Sequence, residues 1–181
     1  MASRLGLARV VRQQLCCGSS YDLLQQRGHT PTPDYWATLL WKRLMGGKVL
    51  AVQGDEQAGR ELRAYAHCAA ASAASSSSGG GGVAVALVNL RHVATPVDLR
   101  VLGGMHVDAA ALRREVYVLT TIEGSFTGHR AALNGRELKL EAGALPPLEP
   151  KVEEGGALLL PALSVGFVVL PGAEAAACGN S

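Results

Sequence analysis

The sequence predicts a mainly β protein, in which a short strand–loop–helix unit precedes an all-β domain of the sandwich or barrel type. Side chains along Leu62–Cys68 alternate between two sets, which is the two-residue period of a strand with unlike faces. Val83–Leu90 is a continuous apolar run, which is typical of a central strand. Asn134-Gly135 predicts a two-residue hairpin, because a type I′ turn needs positive φ at both positions.

The first part of the chain contains one predicted strand and one predicted helix. Leu7–Gln13 is a short strand, and a loop rich in Gly, Ser and Cys follows it. Thr32 is the expected N-cap of the helix, and Pro33 suits its first position. Gly46 and Gly47 are expected to end the helix.

After these glycines the apolar period changes, which divides residues 1–46 from an all-β domain over residues 47–181. An Ala/Ser/Gly tract has too little apolar bulk to offset its ordering entropy and predicts a disordered hairpin tip at about residues 69–82. Further strands are predicted at Lys48–Val52, Val97–Leu102, Val116–Ile122, Ala131–Leu133, Glu137–Leu140, Ala157–Leu160 and Val165–Leu170. Many short strands at such spacing favour a sandwich or barrel over a parallel sheet.

Composition excludes several classes of partner. Seventeen basic and fifteen acidic residues give a formal net charge of +2, which is too balanced to indicate a nucleic-acid or membrane surface. No apolar run reaches the ~20 residues of a membrane span. The first residues lack the roughly 7–15 apolar residues of a secretory signal. Two interpretations remain open: a cytosolic protein, or a chain whose natural N-terminus is missing.

The four cysteines do not predict a zinc site. No pair has the two-to-four-residue gap of a metal knuckle, and the neighbours Cys16 and Cys17 cannot easily bind one ion together. Cys68 ends one strand and Cys178 follows the last one. These two form either a disulfide across the domain or two buried thiols, and both alternatives stay open on the residues alone.

The sequence contains no complete catalytic site. Glycoside hydrolysis needs two carboxylates that face one bond, and Asp22 alone lies in the loop after the first strand. Asp22 is more simply a loop residue, and His67 on an alternating strand is an outward or inter-sheet polar residue. No Gly-x-Ser-x-Gly motif, phosphate loop or pair of histidines at helical spacing occurs. We therefore expect no metal ion and no cofactor.

Eight short segments, taken in order, are more specific than any of these motifs. Together they resemble the C-terminal third of heparanase-like enzymes, glycoside hydrolase family 79, and are most similar to its plant, baicalin β-glucuronidase-like branch. The segments are Pro31–Trp36, Leu39–Gly46, Leu62–Cys68, Leu87–Leu90, Val118–Thr120, Ala132–Gly135, Pro146–Pro150 and Ala175–Cys178.

The resemblance implies a C-terminal β-sandwich preceded by the last βα unit of a truncated (β/α)8 barrel. Members of this family hydrolyse β-glucuronide linkages with retention, and both of their catalytic glutamates lie on earlier barrel strands. The resemblance therefore implies that this chain carries no catalytic residue. It implies a substrate-binding role for Tyr21, in the loop that lines the sugar cleft. In relatives a backbone amide of this loop faces the substrate carboxylate, and Gly18 is the residue retained here.

The resemblance also implies a disulfide between Cys68 and Cys178 and therefore an oxidising compartment. The family's location is secreted, or vacuolar and lysosomal, so the lack of a signal predicts a missing N-terminus. The first hypothesis is a truncated hydrolase that acts on a glucuronide-containing glycan or glycoconjugate only when the barrel is completed. The alternatives are a non-catalytic β-sandwich that binds carbohydrate or protein, and a fragment without function.

Overall fold

The structure is a computed structural model, and it describes residues 14–18, 21–53, 60–71, 73, 82–99, 113–173 and 175–179. The predicted strand Leu7–Gln13 lies outside the described residues. The loop that follows it is described from residue 14, except for residues 19 and 20. The described chain contains one α-helix, α1 (Pro33–Leu44), and a short 3₁₀ helix at Ala176–Cys178. Its strands are β1 (Met45–Leu50), β2 (Leu62–Ala69), β3 (Val83–Asn89), β4 (Thr95–Val97), β5 (Arg113–Thr121), β6 (Ala131–Leu133), β7 (Arg136–Glu137), β8 (Lys151–Glu154), β9 (Leu158–Leu160) and β10 (Ser164–Leu170).

The described strands form a large antiparallel sheet and a small one. The large sheet has eight strands in the order β1-β2-β3-β10-β5-β6-β7, and β8 pairs with the same side of β5 as β6 does. The C-terminal strand β10 lies at the centre, between β3 and β5. The small sheet is the antiparallel pair β4 and β9. The prediction of a mainly β chain is therefore confirmed, and both sheets are antiparallel.

The large sheet buries apolar side chains on both faces. On one face Trp36, Leu40 and Leu44 of α1 pack with Phe167 and Val169 of β10. These helix residues follow each other at four-residue spacing, so they form a single apolar stripe. On the other face Leu158 and Leu160 of β9 pack against alternate residues of the sheet. The order of layers is therefore helix, large sheet, small sheet. The sandwich, the truncated barrel and the boundary at residue 46 stay predictions.

The helix begins where the sequence predicts but ends earlier. Thr32 precedes it with extended backbone and Pro33 is its first residue, yet the Thr32 hydroxyl makes no cap hydrogen bond. The helix stops at Leu44, and Gly46 and Gly47 belong to β1. The prediction that these glycines end the helix is wrong. A Cβ on Gly46 would lie 2.5 Å from the carbonyl oxygen of Cys68, so glycine is needed for the close approach of β1 to β2.

Most predicted strands that fall on described residues are present, with shifted ends. β3, β6 and β10 match within one residue, whereas the structure assigns β7 only to Arg136–Glu137. The predicted Val97–Leu102 strand overlaps β4 only at Val97: β4 begins earlier, at Thr95, residues 98–99 are not in a strand, and residues 100–102 lie outside the described chain. The sequence pattern missed β8, because three of its four residues are charged and its apolar content is one valine.

The Asn134-Gly135 hairpin is confirmed. Asn134 has φ of 50° and Gly135 has φ of 85°, as a type I′ turn requires. β6 and β7 pair on either side of it. The Asn134 side chain also accepts from the amide of Val118 at 2.9 Å and donates to the carbonyl of Val116 at 3.0 Å. The turn is therefore fastened to β5 as well as to its own hairpin.

The ends of the predicted tip at about residues 69–82 are part of the structure. Ala69 belongs to β2, and its amide donates to Gly82 at 2.7 Å. Ala73 is buried in the core beneath α1. The β2–β3 hairpin therefore extends beyond its predicted limits. Residues 72 and 74–81 lie outside the described chain, so a disordered tip stays a prediction for them.

Asn89 joins the large sheet to the small one. Its side chain is fully buried, and its Nδ2 donates to the carbonyl of Leu160 at 3.2 Å and to that of Pro161 at 2.8 Å. Its Oδ1 accepts from the amide of Arg91 at 3.0 Å. One amide group thus ties the end of β3 to the end of β9.

We expect Asn89→Ala to lower the free energy of unfolding by about 2 kcal/mol, because it leaves buried carbonyls and an amide without their partner. Denaturant titration followed by tryptophan fluorescence measures the change. An unfolding midpoint equal to that of the parent chain would contradict this role.

Candidate functional site

The predicted sugar-binding loop is built from three short passes of chain before α1. Leu24 forms an isolated parallel bridge with Cys16 and an antiparallel bridge with Pro31. The amide of Leu24 donates to the carbonyl of Leu15 at 2.8 Å, and the amide of Thr32 donates to that of Leu23 at 2.9 Å. These bonds bring residues 15–17, 23–25 and 30–32 side by side. The loop therefore has a defined backbone without a regular sheet.

The amide of Gly18 donates to Oδ2 of Asp22 at 3.0 Å. Asp22 is buried, although its carboxylate belongs to a loop at the surface. The resemblance implied that a backbone amide of this loop faces the carboxylate of a sugar. Here the retained glycine amide faces a carboxylate of its own chain. Asp22 therefore has a structural partner in the loop, as the simpler interpretation of this residue expected.

Tyr21 presents its aromatic side chain at the surface of the same loop. The side chain is 51% exposed, although the next residue, Asp22, is buried. A half-exposed aromatic ring can pack against the apolar face of a sugar ring while its hydroxyl exchanges hydrogen bonds. Tyr21 and Gly18, the two predicted binding residues, both belong to this loop, and their role in binding stays a prediction.

The buried acids of the described chain lie in two different elements. Asp22 is in the loop, and Glu115 is on β5, between Val152 of β8 and Val169 of β10 in the strand register. Glu115 also affects Tyr117, its neighbour on the same face of β5. Burial, and then the negative charge of Glu115, raise the pKa of Tyr117 to about 12, while Arg43 of α1 opposes this shift. This cluster is a polar part of the interface between helix and sheet.

His67 is enclosed between β1, β2 and α1. Its Nδ1 lies 2.7 Å from the carbonyl oxygen of Gly46 and must donate, because a carbonyl only accepts. Its ring meets the edge of the Trp41 ring at a centroid distance of 5.2 Å. Buried Nε2 has no hydrogen-bond partner among the described residues. His67 is therefore an internal polar residue that holds β1 against β2.

The structure contains two disulfides among the described residues. Cys68 and Cys178 are bonded with a Cα–Cα distance of 5.5 Å, which is in the usual range. This bond fastens the 3₁₀ helix after β10 to the end of β2. Cys16 and Cys17 are bonded to each other. The residues alone left the first pair open, and they gave no indication of the second.

The imidazole of His29 lies close to the adjacent cysteines. The ligand atoms of Cys16, Cys17 and His29 all lie within 4.8 Å of one another. Spacing along the chain concealed this group, because His29 is twelve positions from Cys17 and reaches it through the fold of the loop. A turn at Gly28 and His29, both with positive φ, is what returns the chain. In the sequence, Gly28 alone could have indicated this turn.

The described chain has no helix with the length and apolar character needed to cross a bilayer. No protein-family model matches the chain. Curated relatives do match it along most of its length. Heparanase-like protein 1 from Arabidopsis thaliana is 35% identical over 200 aligned residues, which cover 94% of this chain. Heparanase from Gallus gallus is 34% identical over 181 residues, which cover 98%.

The chain belongs to the heparanase-like family. A third relative of this heparanase-like chain, baicalin-β-D-glucuronidase from Scutellaria baicalensis, is 33% identical over 88% of it. The match covers 35% of the Arabidopsis relative, 33% of the chicken relative and 28% of the Scutellaria relative. The heparanase-like chain therefore spans about a third of the length of these relatives.

Proposed function

We propose that this heparanase-like chain is the C-terminal third of a retaining glycoside hydrolase that cleaves β-glucuronide linkages. Residues 1–46 would supply the last βα unit of a (β/α)8 barrel, and residues 47–181 would form the β-sandwich beside it. The substrate would be a glucuronide-containing glycan or glycoconjugate, and the setting would be secretory or vacuolar. The observation that carries the proposal is similarity along 94–98% of this chain to about a third of two heparanase-like relatives.

In this proposal the chain holds the sugar and does not carry out the chemistry. Tyr21 would pack against the sugar ring, and the loop around Gly18 would border its carboxylate. Because Asp22 already occupies the Gly18 amide, recognition of a substrate carboxylate would need other donors or an exchange of this bond. Retaining hydrolysis needs one carboxyl group as acid and base and another as nucleophile, and the remainder of the enzyme would supply both.

We expect the isolated chain to show no turnover of a chromogenic β-glucuronide. Fusion to the part of the Arabidopsis relative that precedes the matched segment should restore turnover, because it supplies the two carboxylates. In this chimera Tyr21→Ala should lower kcat/KM about 10–100-fold, which is the size expected from one lost binding contact. Steady-state kinetics on the chromogenic substrate measures both effects.

Phe126→Ala is the matched control, since Phe126 is a similarly exposed aromatic residue outside the loop. Its kcat/KM should equal that of the parent chimera. Turnover by the isolated chain, at a rate unaffected by Tyr21→Ala, would refute the division of roles. Glycan binding by the isolated chain that survives removal of residues 1–46 would instead favour the non-catalytic binding module.

A further inference from the structure

We propose that Cys16, Cys17 and His29 form a redox-controlled site for a thiophilic divalent cation such as Zn²⁺. The oxidised form is the Cys16–Cys17 disulfide of the structure, and the reduced form offers two thiolates and one imidazole. The three ligand atoms lie within 4.8 Å of one another. This inference concerns a different chemistry from glycoside cleavage and does not depend on the proposed function.

The loop assembles the site from two separate passes of the chain. The bridge between Cys16 and Leu24 aligns the first pass with the second. The amide of Gln25 donates to the carbonyl of Thr30 at 2.9 Å, which closes a turn over residues 26–29. Positive φ at Gly28 and His29 reverses the chain within that turn and returns His29 towards the cysteines. The position of His29 is therefore set by backbone hydrogen bonds, as a metal ligand requires.

Adjacent cysteines do not easily share one ion, so the two bonded sulfur atoms must separate before the group can bind a tetrahedral ion. Zinc–sulfur bonds of ~2.3 Å and zinc–nitrogen bonds of ~2.0–2.1 Å place the ligand atoms of one ion roughly 3.4–3.8 Å apart. The observed separations reach at most 4.8 Å in the disulfide form. Opening the disulfide frees both sulfur atoms to move within an exposed loop. Three protein ligands leave a fourth position, which a water molecule can fill.

The adjacent disulfide has little value as a structural cross-link. Disulfides stabilise a fold in the chain-entropy model by closing a loop, and the gain grows with the length of that loop. Cys16 and Cys17 enclose no intervening residue, whereas Cys68 and Cys178 are 110 positions apart. Cys17 and His29 are also exposed, so a reductant and an ion can reach them. These features favour a chemical role for the adjacent pair.

Reduction of the Cys16–Cys17 disulfide creates the two thiol ligands, and binding of the cation follows. A dithiol reductant attacks the Cys16–Cys17 bond, and two electrons and two protons pass to the pair while the reductant becomes a disulfide. Binding of the cation then displaces the thiol protons to solvent, because the metal ligand is the thiolate. Two sulfurs and one imidazole nitrogen select Zn²⁺-like ions over Mg²⁺ and Ca²⁺, which prefer oxygen ligands.

The test is titration of the full chain with Co²⁺, which takes the place of Zn²⁺ and gives thiolate-to-cobalt absorption bands. The chain is reduced with dithiothreitol and freed of reductant without air, and alkylation with mass spectrometry identifies the open cysteines. We expect one Co²⁺ per reduced chain, displaced by Zn²⁺, and binding at least about 100-fold weaker in the oxidised chain. Excess Mg²⁺ should not displace it.

Matched variants separate the site from non-specific binding. Cys16→Ser/Cys17→Ser, reduced in the same way, should lose the thiolate bands even if Cys68 and Cys178 also open. His29→Asn should weaken binding by at least about tenfold, and asparagine tolerates the positive φ of this position. His129→Asn, at another exposed histidine, should leave it unchanged. Equal Co²⁺ binding by the oxidised chain or by the double serine variant would overturn the proposal.

Discussion

Replacing Cys68 and Cys178 with alanine is expected to lower the free energy of unfolding by about 4–5 kcal/mol in the chain-entropy model. The bond links positions 110 residues apart, so it removes a large share of the conformational freedom of the unfolded chain. It also fastens the end of β2 to the 3₁₀ helix that follows the central strand β10. Denaturant unfolding of both chains without reductant, followed by tryptophan fluorescence, measures the difference.

The adjacent cysteines provide the control for this experiment. Cys16→Ser/Cys17→Ser also removes a disulfide, but this disulfide encloses no intervening residue. The unfolding midpoint of the variant should therefore stay close to that of the parent chain. A loss of stability of similar size in both double variants would mean that loop closure is not the reason. So would a loss well below about 2 kcal/mol in the Cys68 and Cys178 variant.

Local patterns in the sequence were enough to predict most of the sheet. The sequence of β2 alternates over Leu62–Cys68, β3 and β10 are apolar on both faces, and Asn134-Gly135 favours the observed type I′ turn. Each of these signals resides in a few neighbouring residues, so it can be recognised without knowledge of the fold. The one-sided apolar stripe of α1 is equally local.

The features that the sequence did not predict depend on contacts between distant segments. Gly46 and Gly47 resemble a helix stop, but the approach of the Cys68 carbonyl is what requires glycine in β1. β8 is mostly charged and becomes a strand because Glu153 pairs across the sheet with Arg114. A local pattern cannot contain either reason, since the partner is many residues away.

The same distinction applies to the candidate site. Tyr21 and Gly18 could be predicted as binding residues by resemblance, because they lie in one short loop, and that prediction stays untested. The hydrogen bond from the Gly18 amide to Asp22 could not be predicted in this way, because the resemblance names residues and not their hydrogen-bond acceptors. His29 reaches Cys16 and Cys17 only after the chain reverses at residues 26–29. Spatial groups of this kind need the fold before they can be seen.

The second large effect is expected at the buried ion pair between β5 and β8. Arg114 is 4% exposed, and its Nη2 lies 2.8 Å from Oε2 of Glu153, which is 22% exposed. Its Nη1 donates to the carbonyl of Gly156 at 2.8 Å. We expect Arg114→Ala to lower the free energy of unfolding by about 3 kcal/mol, because it leaves the carbonyl of Gly156 without its donor and the partly buried carboxylate of Glu153 with Lys151 alone. Denaturant titration at neutral pH measures it.

Arg130→Ala is the matched control within the same chain. Arg130 and Glu123 also form an arginine–glutamate pair, with a nitrogen–oxygen distance of 3.0 Å, but Arg130 is 57% exposed. Water solvates both charges there with or without the partner, so little or no change in stability is expected. Equal losses at the two sites would show that burial does not determine the strength of these pairs.

The buried pair should also give the unfolding free energy a defined pH dependence. Partial burial alone would raise the pKa of Glu153, but hydrogen bonds from Arg114 and Lys151 outweigh it and lower the pKa below its ordinary value of 4.5. A carboxyl group with a lowered folded pKa stabilises the fold fully above its unfolded pKa. That contribution declines as the pH falls through the lower folded value of the pKa.

Glu153→Gln should therefore reduce the acid-induced loss of stability. An unchanged pH profile in this variant would mean that the charge of Glu153 does not stabilise β8 against β5.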